Sequence, residues 1–219
     1  MIDDQQAYMR LELVAPPVVE PLTAAEAKAR LAIGDEISDE VMNAWIMASR
    51  QQLDGAVGWL NRALITQSWR GHLDAFPCGR RVYIPLPPLQ QLTISYVGAD
   101  GSSVALTEDV DYKLIKNAQR PYITPIGSWP SATASSDAIT LDFIAGYGDD
   151  GASVPEPIRT AIVLGVSYFR TISARNLMVT LEREEGIGET RYGVSLADVG
   201  TTVSDAVQSL LSVYRVVEV

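Results

Sequence analysis

His72 is the only histidine in the chain, so any imidazole-based chemistry must pass through it. A serine or cysteine nucleophile needs such a base within hydrogen-bond reach. In ITQSWRGHL, Ile65, Trp69 and Leu73 alternate with Thr66, Ser68, Arg70 and His72. The alternation puts His72 on the polar side of a strand, beside Arg70, where a solvated side chain is the simpler reading. Cys78, in FPCGRR, precedes Arg80 and Arg81, whose charges favour a thiolate. A small residue in a loop is the better reading and needs no chemistry.

The carboxylates offer little more. Asp149 and Asp150 sit between Gly148 and Gly151 without the alternating ligands of a calcium loop, and read as a solvated turn. Gly186 and Gly188 make a lone Gly-x-Gly. Their context, EEGIGETRYG, lacks the dinucleotide fingerprint, and Glu184, Glu185 and Glu189 would repel a pyrophosphate. A hydrolase built from distant carboxylates is a third, weaker reading. Trp45, Trp59, Trp69 and Trp129 could stack on bases or sugars, but the first two fall in a helical pattern and read as core or interface. No cofactor or metal is expected, and the protein is expected not to be an enzyme.

The elements that would carry such groups follow from composition. The chain has 219 residues, 47% hydrophobic and 20% charged, enough apolar surface for a substantial core. No apolar run of about 18 residues is present to span a membrane. The acidic start, MIDDQQAYMR, does not resemble a secretory signal. With Cys78 as the one cysteine, an intramolecular disulfide framework is excluded. The net charge of −10 argues against gripping nucleic acid by its phosphates. Lysine is confined to Lys28, Lys113 and Lys116, so arginine dominates the cations, as suits planar ion pairs at interfaces.

Along the chain, residues Met1 to Glu20 show no clean period and read as an arm held from outside, such as by a neighbouring subunit. Thr23 and Glu26 form a capping box that starts a short helix ending at Gly34. A second helix begins near Ser38 or Asp39. Val41, Trp45, Ala48, Gln52, Ala56 and Leu60 keep helical spacing, which extends it to Asn61. From Leu64 to Gly148 the period drops to two, with Leu92, Ile94 and Tyr96 on one face and Ile139, Leu141 and Phe143 on another. Ala99 to Ser102 reads as a hairpin turn, and Pro85, Pro87 and Pro88 mark an edge or bend. Ser153 with Glu156 reads as a second capping box, opening an almost wholly apolar helix, IRTAIVLGVSYFRTI. A last helix runs from about Ser204 to Tyr214.

The expected class is α+β: a small bundle of about four helices with an inserted antiparallel β domain and a C-terminal hairpin and tail. The expected boundaries are an arm at 1–20, a first helical part at 21–63, the β domain at 64–150 and a central helix at 153–174. An extended hairpin or loop follows at 175–203, then the last helix and tail at 204–219.

Several segments, taken in order, resemble the head–tail connector, or adaptor, proteins of tailed phages. VEPLTAAEAKARLAI from Val19 is similar to the opening of that family, followed by the acidic GDEISDE. NRALITQSW from Asn61 resembles its helix-to-strand junction. LDAFP, YIPLPPLQQLTISYVGADG and DFIAGYGDDGASVPEPIRTAI resemble later blocks, and VYRV the C-terminal end. The span from Arg175 to Val203 is longer than the family pattern. Its EEGIGETRYGV resembles a Glu-Gly-Ile-Gly hairpin of related connectors.

The resemblance implies a non-enzymatic subunit of a homo-oligomeric ring, typically twelvefold, beneath the portal protein at the head–tail junction of a virion made in the host bacterial cytoplasm. Such a ring extends the DNA channel without sequence-specific binding and docks a stopper or tail-completion protein. Two interfaces are expected. Glu182, Glu184, Glu185, Gly186, Ile187, Gly188, Glu189 and Arg191 would form a protruding hairpin that reaches a neighbour or the channel. Tyr214, Arg215, Val216, Val217 and Val219 would form a tail that docks on the portal, or else pairs within the chain. The rival expectation is a soluble, non-enzymatic binding module with a β-sandwich groove lined by Trp69, Tyr83 and Trp129.

Overall fold

A computed structural model describes residues 9–77, 81–133, 135–174, 182–184, 188–190 and 205–217. The fold is α+β. The described residues divide into two units: one holds the chain up to Val19, Leu53–Ser153 and the end from Val216, the other Glu20–Gln52 and Val154–Arg215.

The second of these units is helical. Helix α1 (Ala24–Leu31) starts as its sequence dictates: Thr23 and Glu26 cap each other reciprocally, and Ala32 ends the helix in the left-handed region. Helix α2 (Asp39–Gln51) is capped by Ser38, whose hydroxyl accepts the Val41 N–H. Helix α3 (Glu156–Ala174) packs against both. Gly165 lets α3 approach α2, since a Cβ there would lie 2.6 Å from Ser49 Oγ. Met42 and Ile46 of α2 and Ile158, Ile162 and Val166 of α3 are fully buried. Residues 205–211 form helix α4, followed by one 3-10 turn, Ser212–Tyr214.

The other unit is built on two antiparallel sheets. Strands β1 (Arg10–Ala15), β2 (Gln67–Leu73), β4 (Leu89–Val97), β5 (Ser103–Leu106) and β8 (Ile139–Ala145) make a five-stranded sheet ordered β1-β2-β8-β4-β5. Strands β3 (Val82–Tyr83), β6 (Tyr112–Ile115) and β7 (Tyr122–Pro125) make a three-stranded one ordered β3-β7-β6. Period-two burial in β2 and β8 sends Trp69, Leu73, Leu141 and Phe143 to a core shared with Val82, Tyr112 and Ile123 of the smaller sheet and with Ile84 just after β3. The turn from Ala99 to Ser102 joins β4 to β5, with Val97 opposite Ser103. A two-stranded hairpin, β9 (Glu182–Glu184) and β10 (Gly188–Thr190), lies in the sequence between α3 and α4.

Three expectations are corrected. Part of the arm is an edge strand of the chain's own sheet: β1 pairs with β2, from Arg10 opposite His72 to Leu13 opposite Trp69. An edge strand exposed at nearly every position carries no burial alternation, so its period is hidden. Helix α2 ends at Gln51 rather than near Asn61, which leaves Trp59 outside it. Gly55 takes a positive φ of 82°, and at Gly58 a Cβ would lie 2.4 Å from the Asp54 carbonyl oxygen. The Leu60 N–H returns to the Leu53 carbonyl and the Gly55 N–H to Arg62, so buried Leu53 and Leu60 close a tight loop instead of a helical face. Finally, Ser153 does not cap α3. Its hydroxyl donates to Asp150, and Glu156 instead binds Arg30 and Arg159.

Candidate assembly interface

Residues with catalytic potential are dispersed. The His72 side chain is 21% exposed, with Nε2 at 3.6 Å from Glu12 and Nδ1 at 3.8 Å from Asp137. Arg10 also pairs with Asp137, and Arg70 donates to Asp142 at 2.7 Å. Carboxylates therefore flank the imidazole, and neither is a hydroxyl or thiol that it could activate. Cys78 and Arg80 lie outside the described residues. The Asp150 carboxylate accepts the N–H and hydroxyl of Ser153, both at 2.8 Å, which lowers its pKa and identifies it as a turn-forming group. Among the described residues, no three His, Cys, Asp or Glu side chains are grouped to hold a metal. No described helix is long and apolar enough to cross a membrane.

The three aromatics of the groove reading do not share a wall. Trp69 is buried in the sheet core, its indole N–H on Gln67 at 3.1 Å. Trp129 stacks on Phe76 with ring centroids 4.5 Å apart. Tyr83 alone of the three lines a cleft of about 280 Å³. The wall of this cleft is mixed: Met9, Leu11, Val82, Ile84, Leu86 and Val216 form its apolar part, and Asn61, Tyr83, Arg81 and Arg120 its polar part. Arg120 lies over the Tyr83 ring at 4.6 Å and Arg81 over Tyr122 at 4.7 Å. A hydrogen bond to Tyr83 raises the Arg81 pKa further, with the nearby phenols of Tyr122 and Tyr83 adding to the effect. Sequence reasoning misses this pair of arginines. The signal is present in the alternation of Arg81 with Tyr83 and in Arg120 two residues before Tyr122.

The hairpin expectation falls partly on described residues. In register, Gly188 faces Glu184, Glu189 faces Arg183 and Thr190 faces Glu182. The backbone therefore brings Glu182, Glu184, Gly188 and Glu189 into one two-stranded ribbon. Glu185, Gly186, Ile187 and Arg191 lie outside the described residues.

The tail is partly engaged by its own chain. The Val216 N–H donates to the Leu60 carbonyl at 3.0 Å, and Asn61 Nδ2 donates to the Val216 carbonyl at 3.0 Å. Val216 is 5% exposed, whereas Val217 is 59% exposed. The 3-10 turn holding Tyr214 leads into Arg215, whose backbone is extended. Val219 lies outside the described residues.

No protein-family model matches the chain, and no curated protein matches it. Solved structures do. A chain in the neck of an empty gene transfer agent particle, computed with C6 symmetry, superposes with a TM-score of 0.67 at 20% identity, covering 96% of this chain and 97% of that one. A chain in the virion of the native particle gives 0.67 at 20% identity, covering 95% and 96%. One in the native neck, computed with C12 symmetry, gives 0.59 at 19% identity, covering 94% and 97%. At this identity the likeness is one of fold, and it runs along nearly the whole of both chains.

Proposed function

We propose that this chain is a structural head–tail connector subunit of a tailed phage or phage-like particle. Copies form a closed ring at the neck, below the portal, where the ring extends the DNA channel and presents a docking face to a stopper or tail-completion protein. The observation that carries this reading is the end-to-end match to chains in particle necks. That fold is shared over about nineteen-twentieths of both lengths, which supports reading the two chains as counterparts. The C6 and C12 symmetries of those necks support a ring of twelve.

Two features of the chain suit the role. A cyclic ring repeats one heterologous interface until it closes, so each copy needs two different faces. The hairpin and the pocket-bearing sheet unit are two such faces. A formal charge of −10 also suits a conduit that DNA must traverse without adhering. The exposed Val217 remains available for portal contact.

Native mass spectrometry of the chain mixed with the portal protein of its own particle tests the reading. A symmetric complex carrying twelve copies is expected. A chain that stays monomeric and has no affinity for the portal overturns it.

A further inference from the structure

Charge along this acidic chain is distributed unevenly. Residues 78–98 and 112–136 contain Arg80, Arg81, Lys113, Lys116 and Arg120 and not one Asp or Glu. These stretches include all three strands of the smaller sheet, β3, β6 and β7. The sheet is therefore a cationic island, bordered at the start of β6 by Glu108, Asp109 and Asp111, on a protein of net charge −10. Lys113 and Lys116 are exposed, as is Arg81. The cleft is lined by Met9, Val82, Ile84 and Val216 together with Arg81 and Arg120, so the island combines a partly apolar hollow with positive charge. At about 280 Å³ the hollow falls just below the range of roughly 300–1,000 Å³ usual for small-molecule sites. It suits one or two side chains from another polypeptide.

We infer that this pocket is the receiving face of the contact between ring neighbours, and that its occupant is the glutamate-rich hairpin, residues 182–190, of a second copy. The inference rests on the ring reading above. Charge complementarity selects the occupant. The hairpin and its connection carry Glu182, Glu184, Glu185 and Glu189 against the single Arg183. The sequence between the two strands includes Ile187, an apolar residue that the hollow would accept. Guanidinium groups already laid on tyrosine rings lose little freedom on pairing with a carboxylate, which favours them as anchors. Duplex DNA is the less favoured partner, because the surrounding negative charge repels phosphate and a small concave hollow cannot follow a phosphate backbone.

A charge-swap experiment tests the inference on the full chain with its portal. One variant carries Arg81→Glu and Arg120→Glu, and the other carries Glu182→Arg and Glu184→Arg. Each still melts cooperatively as a folded monomer, the arginine variant somewhat lower for its lost tyrosine contacts, and each alone loses about tenfold or more of the ring yield, the effect of disrupting close interfacial charge pairs. Mixed in equal amounts, the two restore rings in which they alternate, because each pocket then meets a hairpin of opposite sign. Rings formed at unchanged yield by the Arg81→Glu, Arg120→Glu variant overturn the pocket assignment alone. So does a mixture that stays unassembled. Rings from both variants, with duplex DNA binding lost only in the arginine variant, assign the island to DNA and also overturn it. A wild-type chain that forms no ring brings down the connector reading itself.

Discussion

Asp54 Oδ1 accepts the backbone N–H of Leu64 at 2.8 Å and the Gln67 amide at 3.0 Å, in a site where Asp54 is 7% exposed. Gln67 in turn accepts the Trp69 indole N–H, so one carboxylate organises the path from the end of the tight loop into β2. Replacing Asp54 by Ala strands two buried donors and is expected to cost roughly 2–4 kcal/mol. Asp54→Asn keeps an acceptor and costs about half as much. Urea denaturation distinguishes them. Equal losses from both would show that the carboxylate's charge, rather than its acceptor, matters.

Arg159 joins the helical unit. It donates to the Pro21 carbonyl at 3.1 Å, to Glu156 at 3.0 Å and to Glu26 at 2.6 Å. Its carboxylate partners are half exposed, so Arg159→Met should lower stability by only about 1–2 kcal/mol, read from thermal melts. A loss near zero would mean that water replaces all three contacts.

Acid should weaken the same unit. Glu26 is held below its usual 4.5 chiefly by the Thr23 backbone N–H, and Glu156 chiefly by hydrogen bonding to Arg30. Depressed carboxylates contribute stability that is complete above the unfolded value and lost as pH falls through the folded one. Melting temperature should therefore drop on acidification below about pH 4.5. The slope should be shallower in Glu156→Gln, and an identical slope would remove Glu156 from the account.

Two glycines should respond differently to the same change. Gly146 has φ of 135°, and a Cβ there would sit 2.5 Å from the Ile65 carbonyl carbon. Gly146→Ala is expected to cost about 3 kcal/mol or more. At Gly101, φ is 80° but no atom lies within 4 Å, so alanine bears only the left-handed penalty of about 1 kcal/mol. Comparable melting temperatures for the two variants would contradict the close approach at Gly146.

Truncation after Arg215 removes a buried valine and both Val216 hydrogen bonds. About 2–4 kcal/mol should be lost, seen as a lower melting temperature. An unchanged melt combined with lost portal binding would assign Val216 wholly to the partner. Val217→Asp, at an exposed position, tests portal contact without that confusion: the melt should hold and portal affinity fall.

How much of the fold is legible in the sequence depends on where burial leaves a period. Strands β2 and β8 are buried at every second residue, and their alternation is plain. The Thr23–Glu26 box is local chemistry and is equally readable. β1 is not, because an exposed edge imposes no pattern. The end of α2 is hidden because Ala56 and Leu60 continue a helical rhythm that Gly55 and Gly58 break through backbone geometry. The Arg81 and Arg120 pocket depends on β3 meeting β7 across some forty residues of sequence, with Val82 opposite Ile123. Pairing at that distance leaves no trace in local spacing. The hairpin is visible from its glycines, and its register supports the strands expected on either side.

Both ends of the described chain are fastened in the sheet unit, β1 to β2 and Val216 to Leu60 and Asn61, while the helical unit lies between them in sequence. Tension applied through handles at residues 9 and 217 therefore loads the sheet unit first. The tail clasp, with two hydrogen bonds at Val216, is weaker than the β1–β2 ladder and should yield before it. An optical-tweezers trace should show a small early rip for tail release, followed by extension of the helices. The chain would thus have a mechanical fuse at Val216, able to give way and re-form while the five-stranded sheet keeps its register.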